Sequence, residues 1–280
     1  MPIYSREKVT VALHQVSKTY RTGQSWFPTG SRGSSEVQAL KPLSLAAFSG
    51  EAIGLVGTNG SGKSTLLRMI AGNEHPSTGQ VLTSSTPTLL SVNSALQPSL
   101  SGLDNVRLGL LASGMQVEEV DEKQLEVAEW AEIGEAINRP MSTYSSGMRS
   151  RLIFSISTAM PREILLVDEA LATGDATFAA KAKTRLDSFL ESSGTLFMVA
   201  HGSGELQKYC NRAIWLNDGE LIADSTERYV TRAYNRWTRL RSLGKLDQAE
   251  EQLSDHRKVL RKQVLGFAST LDKSPSSLKG

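Results

Sequence analysis

The sequence predicts an α/β fold with a mostly parallel sheet, an antiparallel β edge and a helical insertion. Three short aliphatic runs, at residues 52–56, 164–167 and 195–200, have the length and composition of buried strands. A glycine-rich segment joins the first run to a helical pattern, and polar residues follow the other two. Because the carboxyl ends of parallel strands meet at one edge of the sheet, we expect a ligand site there.

The composition is that of a globular domain with no strong electrostatic bias. The 280 residues are 39% hydrophobic, and 31 Lys and Arg against 29 Asp and Glu give a net charge of +2, which predicts no nucleic-acid partner. The single Cys210 excludes an internal disulfide, and the four scattered histidines lack metal-ligand spacing. No signal-peptide pattern or long apolar run is present. We therefore expect a cytoplasmic protein whose membrane role, if any, depends on a partner.

The chain begins with a predicted strand and a long loop. Residues 9–16 alternate between apolar and polar types, as in a half-buried strand. Residues 21–36 are rich in Gly, Ser and Thr and carry an aromatic tip, Trp26-Phe27-Pro28. Two interpretations of this tip stay open. It contacts a membrane protein near the lipid interface, where Trp and Phe are favoured, or it belongs to a disordered insertion.

The glycine-rich segment 57–64 reads G-x-x-x-x-G-K-S between the first strand and a helix, which is the context that a phosphate-binding loop requires. Its glycines allow backbone N–H groups to surround an anion at the positive end of the helix, and Lys63 can reach the β- and γ-phosphates. Ser64 is then a magnesium ligand. The alternative is a chance glycine turn. The predicted contacts are Gly57, Thr58, Asn59, Gly60, Ser61, Gly62, Lys63, Ser64 and Thr65.

A helical insertion is predicted at about residues 98–160, and a second small-residue turn lies within it. Apolar residues at helical spacing, Leu125 among them, mix with acidic ones between residues 103 and 137. Ser145, Ser146 and Gly147 then enter a helix, so backbone N–H groups and a hydroxyl face outward at a positive dipole end. The simpler interpretation is an ordinary serine N-cap. A second anion site in one chain would suggest that two copies hold one ligand between them.

Acidic and imidazole side chains follow the second and third aliphatic runs. Asp168 and Glu169 emerge at the sheet edge. Asp168 can coordinate a magnesium ion directly or through water, and Glu169 can orient and polarise an attacking water. His201 can hydrogen-bond a γ-phosphate oxygen or that water. The alternatives are a solvated acidic strand end and a structural histidine. These residues make phosphoryl transfer the predicted chemistry.

The C-terminal residues 226–280 form a charged tail with a helical pattern, and residues 1–225 form the preceding domain. Tyr229, Ala233, Trp237 and Leu240 lie at helical spacing, with arginines interleaved between them. Two interpretations stay open for this stripe: packing onto the domain and binding to a membrane surface. The interleaved arginines are Arg228, Arg232, Arg236 and Arg239.

In order and spacing, these segments resemble the ATP-binding subunit of an ABC transporter between about residues 9 and 224. The phosphate loop matches the family's Walker A motif, residues 144–148 resemble its signature, and residues 164–169 resemble Walker B with the catalytic glutamate. Residues 172–175 resemble the D-loop, which offers Asp175 as a nucleotide contact. His201 resembles the switch histidine, and Tyr20 resembles the aromatic residue that stacks on adenine. Asn93 lies where the family has a magnesium-contacting glutamine and stands as its substitute.

The resemblance implies a P-loop ATPase of the ABC type that uses ATP and magnesium. Residues 1–225 would be the nucleotide-binding domain, with Glu169, His201, Lys63 and Asp168 as catalytic residues. Two copies would form a head-to-tail dimer around two ATP molecules. The dimer would sit at the cytoplasmic face of the membrane, attached through an integral-membrane permease.

The variant signature narrows the resemblance to one subfamily. Ser146 replaces a glycine and Met148 replaces a glutamine of the usual pattern, and residues 168–175 read D-E-A-L-A-T-G-D. This combination resembles ATPases that export lipid-linked polysaccharides of the teichoic acid, O-antigen, capsule or galactan type. The residues after Asp224 are too few for an added carbohydrate-binding domain, so the permease is expected to handle most of the cargo.

Other functions remain as alternatives. A soluble ABC-type ATPase acting on ribosomes or nucleic acid would usually carry a second cassette or a long coiled coil, and the sequence has neither repeat nor heptads. A small-molecule kinase would not need the signature or His201. A non-catalytic scaffold would not need the acidic and basic residues described above. An exporter of another lipid or of a drug would share all of these motifs.

Overall fold

The computed structural model describes residues 8–22, 35–90, 96–168, 176–199 and 203–271. Within these ranges the chain forms nine β-strands, eight α-helices and two short 3-10 helices. The strands are β1 (Val9–Thr22), β2 (Ser35–Phe48), β3 (Ala52–Val56), β4 (Thr78–Thr83), β5 (Thr88–Leu90), β6 (Ile164–Asp168), β7 (Thr195–Val199), β8 (Arg212–Asn217) and β9 (Glu220–Thr226). The α-helices are α1 (Lys63–Ile70), α2 (Gly102–Ala112), α3 (Val117–Ala131), α4 (Ser146–Ser157), α5 (Ala176–Glu191), α6 (Ser203–Tyr209), α7 (Glu227–Ser242) and α8 (Leu246–Leu271).

The larger sheet has six strands in the order β5-β6-β7-β3-β8-β9. The first five are parallel to one another, and β9 returns antiparallel to β8 through a tight turn. Strands β3 and β7 are buried along their whole length, which explains why they are continuous aliphatic runs rather than alternating patterns. The predicted mostly parallel sheet is confirmed.

The smaller sheet is antiparallel, in the order β2-β1-β4, and confirms the predicted β edge. Strand β1 continues six residues beyond the predicted strand 9–16. Its inward residues Leu13 and Val16 pair with Leu45 and Leu43 of β2. They join one core cluster with α1 and with one face of the larger sheet. The two sheets are therefore packed together around the segment that follows β3.

Helices α2, α3 and α4 form a helical subdomain with a core of its own. Helix α2 begins at a capped turn, in which the side chain of Ser101 accepts a hydrogen bond from the Asp104 backbone N–H. The buried face of α3 carries Val120 and Val127. Leu125, which the sequence pattern assigned to the apolar face, is 61% exposed. The phase of the pattern was wrong there because burial follows the packing of α3 on α2 and α4, and not the hydrophobicity of single positions.

Helices α7 and α8 pack as a hairpin against strands β8 and β9. The indole of Trp237 is 2% exposed and lies edge-on to the buried Trp215 of β8, with ring centroids 5.5 Å apart. Ala233 and Leu240 pack against the same cluster, whereas Tyr229 is 47% exposed. Of the two interpretations of this stripe, the structure favours packing onto the domain. No helix within the described ranges is long and apolar enough to cross a bilayer.

Arg212 holds strand β8 to its surroundings. Its guanidinium donates two hydrogen bonds to Asp224 of β9, at 2.7 and 2.6 Å, and one to Glu51 at 2.8 Å. A further bond reaches the backbone carbonyl of Ala46 in β2, at 2.9 Å. Burial alone would lower the pKa of Arg212, but the two carboxylates outweigh that effect and raise it. The charge is thus permanent, and it links the two sheets.

The packing of the hairpin generates a prediction about stability. We expect Trp237→Ala to lower the free energy of unfolding by about 3–5 kcal/mol, because a large side chain buried against Trp215 would leave a cavity. Leu243→Ala is the control, since Leu243 in the turn between the helices is 60% exposed and should change stability by less than about 0.5 kcal/mol. Urea unfolding followed by circular dichroism measures both. Equal losses in the two variants would contradict the packed position of Trp237.

Candidate functional site

The candidate site lies where strand β3 passes into helix α1. Strand β3 is in the interior of the sheet between β7 and β8, and it is parallel to both. The loop of residues 57–62 therefore leaves the sheet at the edge where β6 and β7 also end. This is the position in which open parallel sheets bind ligands. The predicted strand, loop and helix are all present.

Two glycines of the loop are required by close contacts. A Cβ on Gly57 would lie 2.2 Å from the Leu216 carbonyl oxygen. A Cβ on Gly62, whose φ is +102°, would lie 2.6 Å from Leu40 Cδ2 and 2.7 Å from the Ala39 oxygen. Gly60, at φ +79°, has nothing within 4 Å of such a Cβ. The outer glycines let the loop pack against β8 and β2, while the central one serves only the backbone turn.

Lys63 is the first residue of α1, and it is 8% exposed. Its Nζ donates hydrogen bonds to the carbonyl oxygens of Gly57, at 2.8 Å, and Thr58, at 2.9 Å. These bonds hold the ammonium group against the loop. A phosphate oxygen carries negative charge and would be a stronger acceptor than either carbonyl. The residue is therefore placed to exchange a backbone carbonyl for a phosphate.

The start of α1 has the character of an anion site. Its N-cap is Gly62, which has no side chain to cap the helix, and the first turn contains no acidic residue. The first N–H groups of a helix have no partner within the helix, and its N-terminus carries partial positive charge. Ser61 is almost fully buried, and its carbonyl accepts a bond from the Gly219 N–H at 3.2 Å. The loop therefore has a fixed backbone, as anion binding by N–H groups requires.

Asp168 and Ser64 bring oxygen atoms to the same edge. Asp168 is the last residue of β6 and is aligned with Val199 at the end of β7. Helix α1, whose second residue is Ser64, packs against β6 and β7. A hydroxyl and a carboxylate are ligands that Mg²⁺ accepts, with water and substrate phosphates completing its shell. Within the described ranges, no group of three acidic, His or Cys side chains is arranged to hold a metal ion.

The signature segment starts helix α4. Ser145 is the N-cap, and its side-chain oxygen accepts a hydrogen bond from the Met148 N–H at 3.2 Å. The ordinary N-cap is therefore present, and its hydroxyl proton is still available to donate. Tyr144 is buried, and its hydroxyl donates to the Ala136 carbonyl at 2.7 Å, while burial raises its pKa. This turn belongs to the core of the helical subdomain and not to the core around the phosphate loop. Ser146 is exposed beside Ser145, and Gly147 is half-buried.

Tyr20 lies near the end of β1 with a cation against its ring. The Nζ of Lys18 lies 5.2 Å from the ring centroid and 2.5 Å from a carboxylate oxygen of Glu74. The hydrogen bond from Lys18 lowers the pKa of Glu74. Neither Lys18 nor Glu74 was predicted from the sequence. Lys18 could have been found, because residues two apart on a strand share a face, but Glu74 is distant in sequence and carried no signal.

Several predicted site residues lie outside the described residues. The roles proposed for these residues, and for the aromatic tip, therefore remain predictions. They are Asn93, Glu169, Asp175, His201 and the segment Trp26-Phe27-Pro28.

The glycine contacts generate a prediction that separates crowding from backbone strain. Gly60→Ala should lower the free energy of unfolding by about 1–2 kcal/mol, because alanine is strained at positive φ. Gly62→Ala carries the same strain and adds the contacts with Leu40 and Ala39, so its loss should be larger by about 1 kcal/mol or more. Urea unfolding of both proteins measures the difference. Equal losses would mean that the loop does not pack against β2 as described.

The comparisons with known proteins agree with this geometry. The family model described as ABC transporter matches residues 40–172. The chain is 32% identical to the teichoic acids export ATP-binding protein TagH of Listeria innocua, over 92% of this chain and 80% of the relative. It is 34% identical to TagH of Listeria monocytogenes, over 83% and 72% of the two chains. With TagH of Staphylococcus haemolyticus it shares 38% identity, over 65% and 69%.

Solved structures give the same result for the fold. The ATP-binding cassette MJ0796, in a dimeric post-hydrolysis state bound to ADP and Pi, is 27% identical with a TM-score of 0.66. The match covers 78% of this chain and 99% of that one. A second dimeric structure of the same cassette, described as a bacterial ABC transporter cassette, has the same score and coverage at 26% identity. The relatives above 30% identity, matched along most of both chains, show that this chain belongs to the ABC transporter family of ATP-binding proteins, and the loop and sheet order agree with it.

Proposed function

We propose that this chain is the ATP-hydrolysing motor subunit of an ABC exporter that moves a lipid-linked polysaccharide of the teichoic acid type across the cytoplasmic membrane. The observation that carries the proposal is the extent of the similarity. The relatives named for teichoic acids export match up to 92% of the chain, well beyond residues 40–172 of the shared ABC model. The rivals acting on ribosomes or nucleic acid are not favoured by any of these relatives.

ATP is held by the loop between β3 and α1. Backbone N–H groups of residues 57–62 surround the β- and γ-phosphates, because the outer glycines fix the loop against its neighbours. Lys63 exchanges its carbonyl acceptors for phosphate oxygens. Tyr20 stacks on the adenine ring, and Thr65 supports the phosphate contacts from the first turn of α1. Ser64 and Asp168 would hold magnesium, with Asn93 as the substitute for the usual glutamine, and the ion would neutralise charge on the phosphates.

Hydrolysis is assigned to residues that follow strands β6 and β7. Glu169 orients the attacking water and accepts its proton, and His201 hydrogen-bonds the γ-phosphate. Asp175 contributes to the same nucleotide site. Strands β6 and β7 are adjacent and parallel, and they end in register at Asp168 and Val199, which supports bringing the following residues to one ligand.

A second copy completes each site. Ser145, Ser146 and Gly147 present a hydroxyl and helix-terminal N–H groups from the helical subdomain, whose core is separate from that of the loop. In a head-to-tail dimer this turn faces the γ-phosphate held by the other copy. The dimeric cassettes to which the chain is similar support this assembly. ATP then joins the two copies, and hydrolysis releases them.

The motion is passed to an integral-membrane permease. Residues 1–225 act as the nucleotide-binding domain, and the helical insertion at about 98–160 turns as one body because α2, α3 and α4 share a core. The permease holds the subunit at the cytoplasmic face of the membrane and carries most of the contact with the lipid-linked polymer. The tail of residues 226–280 packs on β8 and β9, through the part of α7 and α8 described above. Trp26 and Phe27 would contact the permease near the lipid interface.

The shared site generates a prediction from mixing two inactive variants. Lys63→Ala removes the loop contact, while Ser145→Asp keeps a good N-cap but places a carboxylate against the γ-phosphate. Each variant alone should lose ATP hydrolysis. After mixing and random pairing, about half of the dimers contain one copy of each variant, and each of these dimers has one intact site of two. The mixture should therefore recover about a quarter of the parental rate of ATP hydrolysis.

Steady-state phosphate release measures this recovery. Ser145→Asn is the matched control, because it also caps α4 but adds no charge, and it should keep most of its activity. Parental hydrolysis by Ser145→Asp alone, or a mixture no more active than the sum of its parts, would contradict a site shared between two copies.

The proposed cargo generates a prediction for depletion of this subunit in the organism that encodes it. Depletion of this subunit should remove the polymer from the cell surface and accumulate its lipid-linked form inside. Resupplied Lys63→Ala should fail to restore the polymer, because the motor cannot use ATP. The control variant Arg239→Gln, which changes an exposed residue outside the nucleotide site, should restore the surface polymer fully. Surface polymer and lipid-linked precursor are measured by extraction and phosphate assay. A normal surface polymer in depleted cells would overturn the assignment of the cargo while leaving the ATPase assignment intact.

A further inference from the structure

A groove of about 520 Å³ lies between α7 and α8, and no residue of the phosphate loop lines it. It is open along one side, and its walls come from both helices of the hairpin. Its size is within the range of small-molecule sites, and its lining is dominated by cations and rings. The residues that matter are Arg228, Arg232 and Arg236 of α7, Tyr229 beside them, and Gln252 and His256 of α8.

The three arginines form a row of positive charge on α7. They recur every four residues, so they lie on one face of α7, and all three are exposed. Within the described part of the chain, none of them forms an ion pair, although nearby cations of α8 do. Arg257 pairs with Glu220 and Glu250, and Lys258 pairs with Asp255. Like charges four residues apart destabilise a helix, and a bound anion would relieve that repulsion.

The aromatic part of the lining is held in position. The rings of Tyr229 and His256 meet edge-on with centroids 5.7 Å apart, and the tyrosine hydroxyl lies 3.4 Å from His256 Nδ1. His256 packs in turn on the fully buried Trp215, also at 5.7 Å. Burial lowers the pKa of His256; Asp255 raises it and Arg236 lowers it further. The lowered pKa favours the uncharged form of the His256 ring beside the arginines.

The floor of the groove is also fixed. Gln252 of α8 donates a hydrogen bond from Nε2 to the Ala233 carbonyl of α7, at 2.7 Å. Ala233 packs against the core below. The two helices therefore keep their separation, and the backbone positions of the arginine row are set before a ligand arrives.

We propose that this groove binds consecutive phosphate groups of a polyol-phosphate chain, the chemical class of polymer that the proposed function would carry. Arginine is the side chain best suited to phosphate, because its planar fork can donate two hydrogen bonds at once. A row of three extends farther than one phosphate needs, and the open side lets a chain continue beyond the groove. The Tyr229 hydroxyl can hydrogen-bond the polyol hydroxyls between phosphates. The inference rests on the proposed function for the identity of the ligand.

The experiment measures binding of a synthetic glycerol-phosphate oligomer to the full chain by calorimetry. Saturating MgADP is present throughout, so that the phosphate loop is already filled. The double variant Arg232→Gln/Arg236→Gln should bind about tenfold or more weakly. The control Arg239→Gln/Lys245→Gln removes the same net charge from exposed residues of the same hairpin that do not line the groove, and it should change the affinity less than about twofold.

Basal ATP hydrolysis is measured on the same preparations and should be unchanged in both double variants, because neither touches the loop or the signature. The proposal is overturned if the parent protein does not bind the oligomer, or if both double variants lose affinity equally. It is also overturned if anionic phospholipid vesicles bind through these arginines and the oligomer cannot displace them. Those results concern only the groove, whereas failure of the proposed cargo would appear in the depletion experiment.

Discussion

The rest of the structure depends on the close backbone approach at the phosphate loop. Gly57 and Gly62 place the loop against the Leu216 carbonyl of β8 and against Leu40 of β2. The Gly219 N–H donates to the Ser61 carbonyl, and the Gly219 carbonyl accepts from the Lys41 N–H at 2.8 Å. One row of backbone hydrogen bonds thus joins the loop, the turn between β8 and β9, and strand β2. The two sheets cannot separate without distorting the loop, and the loop is rigid because both sheets hold it.

The local parts of this arrangement could be predicted from the sequence. The strand, loop and helix at residues 52–71 follow from contiguous residues, and so does the N-cap at Ser145. It was harder to predict which side chains face one another across different elements. Leu125 fits an apolar stripe but is exposed, because the orientation of α3 is set by its neighbours. Glu74, which pairs with Lys18 beside Tyr20, is brought there only by the return of the chain into β4. Tertiary contacts of this kind leave no periodic signal in a single sequence.

The proposed anion sites of the chain are of two different kinds. At the phosphate loop and at the start of α4 the donors are backbone N–H groups, whose positions are fixed by the glycines and by the Ser145 cap. Between α7 and α8 the donors are long arginine side chains that lose rotamer freedom when they bind. A fixed backbone suits a single phosphate that must be positioned within a fraction of an ångström for chemistry. Flexible arginines suit a repeating polyanion, for which position along the chain does not matter.

An aromatic cluster links the helical subdomain to helix α5, which packs on the larger sheet. Trp130 of α3, Phe154 of α4 and Phe178 of α5 form one aromatic cluster, with centroids 5.3 to 6.1 Å apart. Arg185 of α5 lies 4.5 Å from the Trp130 ring and donates to the Thr158 carbonyl at 2.6 Å. Packed aromatic contacts of this kind shift as units and do not deform continuously. A rotation of the helical subdomain would therefore move Ser145 as part of a rigid body. The loop at Lys63 would keep its position between the two sheets.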